Sequence, residues 1–141
     1  MKKTSTRVLS VLIAMIALIN LFGLVSCKSE PLVIKDSEAC IVIKGNDDLK
    51  DASLITYMEQ LKEKGELEFV IENGMITSVN GIENAADYSS CWMLYTSDAD
   101  NANAAWGIVE YNGAEYGSAI LGANELIVKP GCLYIWVYIT F

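Results

Sequence analysis

The sequence predicts an α+β domain, one helix packed on a mostly antiparallel sheet, behind an N-terminal lipoprotein signal and tether. Three observations predict it. An apolar stripe at helical spacing occurs once, at Leu54, Ile55, Met58 and Leu61. From Glu66 onward, alternating or β-branched runs are separated by Asn73-Gly74, Asn80-Gly81, Asn112-Gly113 and Pro130-Gly131, pairs suited to tight turns. An apolar run that begins near Val8, behind Lys2, Lys3 and Arg7, closes on Leu24-Val25-Ser26-Cys27.

That closing stretch reads as a lipobox. A positive amino end, an apolar segment and a small residue before the cleavage point make an export signal, and a cysteine directly after the small residue distinguishes a lipoprotein. Residues 1–26 are then the signal, with Cys27 the lipidated first residue of a mature protein held at the cell membrane or outer envelope, facing away from the cytoplasm. Two acyl chains anchor stably where one does not. The competing readings are a permanent membrane-spanning helix over Val8–Val25, which Ser10, Asn20 and Gly23 interrupt, and an ordinary secretory signal. Residues 27–38 form the tether; Lys28–Ser37 would reach ~30 Å fully extended. Residues 39–141 form the domain.

Within it, Ala39–Lys44 is a β-branched first strand ended by Gly45-Asn46. Asp51 is the expected helix N-cap, with Asp47 and Asp48 nearby at the positive end of the dipole and Lys62, Lys64 and Gly65 at its close. Glu66–Glu72 alternates, Leu67, Phe69 and Ile71 on one face, and Asn73-Gly74 turns it into Met75–Val79. Ala85–Ser90 is irregular, Cys91–Thr96 a strand and Ser97–Ala104 a polar loop. Strands follow at Trp106–Tyr111, Tyr116–Leu121 and Leu126–Lys129, and a long one at Cys132–Thr140. Along that last strand Leu133, Ile135, Val137 and Ile139 face one way as aliphatic core. Cys132, Tyr134, Trp136 and Tyr138 face the other as an aromatic ladder; if the single helix covers only one face of the sheet, the opposite face is left wet or lightly covered.

Composition narrows the function. The signal carries away three of the 10 basic residues and none of the 18 acidic ones, so the formal charge moves from −8 to −11. Such a surface repels phosphate backbones, which excludes nucleic acid as a partner. There is no histidine, hence no triad and no commonest metal ligand; no carboxylate pair sits in an apolar setting, and a non-catalytic role is expected. Asp98 to Asn103 resembles a calcium loop but has Ala102 and Asn103 where an EF-hand needs an oxygen ligand and a glycine, and Val109 where it needs Glu. It reads as a solvated turn, and no metal site is expected. With Cys27 committed to lipid, Cys40, Cys91 and Cys132 remain; a Cys91–Cys132 disulfide and three thiols packed as small hydrophobes are both open.

Ten of the twelve aromatic residues after Cys27 lie between Tyr88 and Phe141. An aromatic-lined site using Trp92, Tyr95, Trp106, Tyr134, Trp136 and Tyr138 follows, for a neutral or cationic small molecule, since rings stack on rings and cations. Ordinary packing of cross-strand aromatics is the alternative. If no concave pocket forms, an exposed sheet edge or aromatic face would instead dock a surface protein.

The order Met75-Ile-Thr-Ser-Val-Asn-Gly-Ile-Glu83, Tyr88-Ser-Ser-Cys-Trp-Met-Leu-Tyr95, Trp106-Gly107, Tyr116-Gly117, Val128-Lys-Pro-Gly131 and Tyr134-Ile-Trp-Val-Tyr138 resembles the transcobalamin-like C-terminal domain family over about Cys40–Phe141. The resemblance implies a β-grasp-like fold, often found in bacterial surface lipoproteins, with a soluble ligand in some members. In transcobalamins the domain caps cobalamin against a large helical domain, which makes cobalamin a candidate ligand. This chain has Cys132 where the family usually has an acid after the last turn glycine, and no histidine to reach cobalt.

Overall fold

The computed structural model describes residues 33–49 and 51–141. The expected signal, the expected lipobox with Cys27 and the start of the expected tether lie outside the described residues. Strands run at β1 Val33–Ser37, β2 Cys40–Lys44, β3 Phe69–Glu72, β4 Met75–Val79, β5 Ile82–Glu83, β6 Ser90–Thr96, β7 Ala102–Tyr111, β8 Ala114–Ala119 and β9 Leu133–Thr140. Helix α1 spans Leu54–Glu63, after a 3-10 turn at Asp47–Leu49. A six-stranded sheet has the order β1-β2-β9-β6-β8-β7 and a three-stranded one the order β3-β4-β5; every pairing is antiparallel. The expected class, one helix on a mostly antiparallel sheet, is the one found. Among the described residues no helix is long and apolar enough to cross a membrane.

β9 sits between β2 and β6 because its β-branched and aromatic residues suit a strand paired on both sides. Its two faces are both covered, as ordinary packing of cross-strand aromatics requires. Tyr134 and Trp136 lie in the larger core with Leu54, Tyr57, Met58 and Leu61 of α1 and Phe69, Ile76 and Val79 of the small sheet. Ile135 lies in a smaller core with Val42, Tyr95 and Tyr111, flanked by Val109 and Tyr116. The helix therefore packs on the aromatic side, and the aliphatic side is closed by side chains of β7 and β8. Alternation fixes which residues share a face, but not which face receives the helix.

Several local expectations are corrected. Val33–Ser37, expected to be tether, pairs with β2 through a bulge at Lys35–Ser37, its Ile34 packing on the smaller core. The N-cap is Ser53, whose hydroxyl accepts from Thr56 N at 3.4 Å. Asp51 has φ +71, a left-handed conformation that an N-cap does not use. Leu126–Lys129 forms no strand, only an isolated bridge between Ile127 and Ser53. Loop backbone from Ala123 to Leu126 serves the helix start instead: Leu54 N donates to Leu126 O at 2.7 Å and Ile55 N to Ala123 O at 2.8 Å, which satisfies amides that a helix leaves open. The loop after β6 ends at Asn101, and β7 starts earlier than expected; between Asn103 and Ile108 its register with β8 slips, leaving residues 104–107 as a wide bulge. Ile71 stays 40% exposed at the hairpin end, while Leu67 and Phe69 are buried.

Cys40, Cys91 and Cys132 are free, half-buried thiols. Cys91 pairs with Ile139, seven residues along the chain from Cys132, so about 23 Å of strand separates the two cysteines. A disulfide needs Cα atoms within about 7 Å, and the Cys91–Cys132 bridge is ruled out by register. Burial, then the Asp36 charge, pushes the Cys40 thiol up from its ordinary value.

Candidate ligand-binding cleft

In the pairing of β6 with β9, Trp92 stands opposite Tyr138 and Leu94 opposite Trp136, which sets both tryptophans on the larger-core face. Trp92 is 5% exposed, and its indole Nε1 donates to the Ile82 carbonyl at 2.8 Å. Tyr138 meets its ring edge-on, centroids 5.5 Å apart at 60°, a favoured geometry for an aromatic pair; its hydroxyl donates to Glu83 O at 2.9 Å. Asn84 links the two sheets through one side chain. Its Nδ2 donates to Ile76 O at 3.0 Å, and its Oδ1 accepts from Trp92 N at 2.9 Å.

Against this floor lies an apolar cleft of about 280 Å³, lined by Met75, Ile76, Asn84, Tyr88, Trp92, Ala123 and Trp136 among others, none of them charged. Met75 is 51% and Tyr88 58% exposed, whereas Trp136 is 5% exposed. The Trp136 Nε1 is buried without a hydrogen-bond partner. Tyr88 holds φ +59, uncommon for a bulky residue. It is kept there by a tight turn in which its N donates to Ala85 O at 2.9 Å. The preceding Asp87 carboxylate accepts from the Ser89 hydroxyl at 2.7 Å and amide at 3.0 Å, which hold its pKa below the usual carboxylate value.

The remaining members of the predicted aromatic set are elsewhere. Tyr134 is fully buried, its hydroxyl accepting from Lys129 N at 2.7 Å and donating to Ile127 O at 3.3 Å. Tyr95 belongs to the opposite core. Trp106 is 65% exposed on the β7 bulge. Only Trp92 and Trp136 line the cleft, with Tyr138 behind Trp92. Met75, Tyr88 and Asn84 were not read from the sequence; the one cue was position, Met75 directly after the Asn73-Gly74 turn and Tyr88 in an irregular, Asp- and Ser-rich stretch.

Two further depressions, of about 260 and 510 Å³, lie on the small sheet beside Glu68, Glu72 and Glu83 and include none of the predicted aromatics. The segment after β6 is the turn expected, exposed at Ala99 and Asp100, but its first carboxylate is buried. Asp98 is 4% exposed and accepts from Lys129 Nζ at 2.7 Å, while Asp100 accepts from the same ammonium at 2.9 Å. Burial alone would raise the Asp98 pKa, but the hydrogen bonds from Lys129, Asn101 Nδ2 and Asp100 N outweigh it and leave the carboxyl below its usual value. A lysine thus occupies the place where the loop would hold a cation. Among the described residues no group of three Cys, Asp or Glu side chains could hold a metal ion. Comparison of the chain with models of known families, with curated proteins and with solved structures found no match.

Proposed function

We propose that the chain is an exported lipoprotein, anchored through Cys27, whose domain binds a small soluble molecule without chemically changing it. The carrying observation is the uncharged cleft formed around Trp92 and Trp136. Its mouth holds an exposed aromatic on a strained backbone, a combination that packing alone does not reward. The resemblance to the transcobalamin-like C-terminal domain, with the β-grasp-like arrangement it implies, supports the same reading. At about 280 Å³ the cleft is at the lower bound of ligand pockets, ~300 Å³. It therefore takes a single ring system, and cobalamin would enter it by one peripheral group only, its bulk resting on another surface. The test is tryptophan fluorescence and thermal shift of the full chain in lipid nanodiscs, against cobalamin, cobinamide and single-ring neutral compounds. Saturable quenching with a rise in melting temperature supports the reading; silence across the panel refutes it. The anchor is tested by Cys27→Ala, which should release the protein from the membrane fraction.

A second reading rests on β7. It is the outer strand of the large sheet, with Trp106 65% and Ile108 51% exposed, and unpaired edges with apolar side chains suit strand addition by a surface partner. Crosslinking in cells would then recover a partner that Trp106→Ala loses.

A further inference from the structure

Trp136 is the one cleft residue with an unmet chemical demand. Its indole Nε1 is buried with no hydrogen-bond partner, although Trp92 beside it donates to Ile82 O at 2.8 Å. An unpaired buried donor is costly, whereas the same donor given an acceptor in a low-dielectric site is worth more than in water. Nothing charged lines the cleft, so no carboxylate there would neutralise a cation stripped of water. Trp136 lines the cleft while its Nε1 is out of reach of water, so an acceptor reaches it only when a neighbouring side chain moves, and exposed Met75, unbranched and flexible, is the one best able to give way.

We infer that the cleft selects an uncharged single-ring molecule carrying one hydrogen-bond acceptor, a carbonyl or ether oxygen, which pairs with the Trp136 Nε1–H. This rests on the cleft being the binding site. It turns the broad expectation of a neutral or cationic ligand into a choice for the neutral one, and names the atom that recognises it.

The experiment uses the full chain in nanodiscs with its three tryptophan indoles labelled with ¹⁵N and followed by NMR, lipid-only discs serving as the partition reference. Three probes share one ring: acetophenone with an acceptor, ethylbenzene without one, and phenyltrimethylammonium with a fixed charge. Acetophenone should move the Trp136 Nε1–H resonance downfield and bind about tenfold tighter than ethylbenzene, the factor of an ordinary net hydrogen bond. Phenyltrimethylammonium should be the weakest. Trp136→Phe, which keeps a ring and removes the donor, should make the two neutral probes equal. Unperturbed Trp92 and Trp106 resonances certify that this variant is folded, and if they move, the wild-type ratio alone decides. Equal binding of the neutral probes to wild type, or tightest binding of the cation, overturns the inference but leaves the cleft as the site. No response at Trp92 or Trp136 to any probe overturns both.

Discussion

Tyr88 carries opposing demands in one residue. Its φ of +59 is left-handed, a conformation that costs an L-residue with a bulky side chain roughly 1–2 kcal/mol, and its ring is 58% exposed, so little burial offsets that cost. Asn tolerates this region far better. Tyr88→Asn should raise stability by about 0.5–1 kcal/mol, read as a higher melting temperature, while weakening any ligand held at the cleft mouth. A variant that loses stability would show that the Tyr88 ring is structural. At this scale the sequence was half legible. The crowding of aromatics after Tyr88 singled out Trp92 and Trp136, because large rings in strands are either core or site. It could not separate them from Tyr95, which lies on the opposite face, or from Tyr134, which shares their face but is fully buried away from the cleft. Asn84 left no trace, since one amide joining two sheets through Ile76 O and Trp92 N has no sequence period.

Strands and turns were the more readable level. The Asn-Gly pairs did mark hairpins, with Asn73, Asn80 and Asn112 all at positive φ beside positive-φ glycines, as tight turns between twisted strands require. Two misreadings concern where an extended run finds its backbone partners. Leu126–Lys129 looks like a strand but caps α1, and Val33–Ser37 looks like a tether but finds an edge to pair with. The β7 bulge depends on a glycine in the neighbouring strand. A Cβ on Gly117 would lie 2.9 Å from Ala104 N and 3.0 Å from Asn103 C, backbone atoms that cannot rotate away. Gly117→Ala should therefore push residues 104–107 off β8 and cost about 1–3 kcal/mol, as overpacking does, lowering the melting temperature by several degrees. Gly113, which has open space around it but φ +76, is the control: Gly113→Ala should show the smaller loss of strain alone, roughly 1 kcal/mol. Equal losses would mean that the contact with Asn103 and Ala104 is readily relaxed.

Over the whole molecule, both faces of the large sheet are closed by the chain itself, and buried hydroxyls and one ion pair set the pH range in which that closure holds. Tyr57 is fully buried in the larger core and donates to Lys44 O at 2.9 Å. Burial, then the charges of Glu66 and Asp48, push its pKa up to about 12. Burial also raises Tyr95 and Tyr134. A tyrosine raised in the fold keeps its proton longer than in the unfolded chain, so the stability it contributes is whole below the unfolded value of about 10 and is lost as pH climbs through the folded one. Each such group steepens the decline by about 1.4 kcal/mol per pH unit. On the acid side the sign reverses. Asp98 is held below its usual value by Lys129, Asn101 and the Asp100 amide, so its contribution is present above about pH 4 and fades as pH falls through its lowered pKa. Melting temperature should accordingly be level between about pH 4 and 8.5 and drop on both sides, the Cys40 thiol, raised by burial and then by Asp36, beginning the alkaline decline ahead of the tyrosines. On the alkaline limb, one fraction of the tyrosinate absorbance should appear only with unfolding. Tyr57→Phe should flatten that limb, and Asp98→Asn the acid one. If the full tyrosinate signal appeared before any loss of structure, the assignment of Tyr57, Tyr95 and Tyr134 to closed cores would fail.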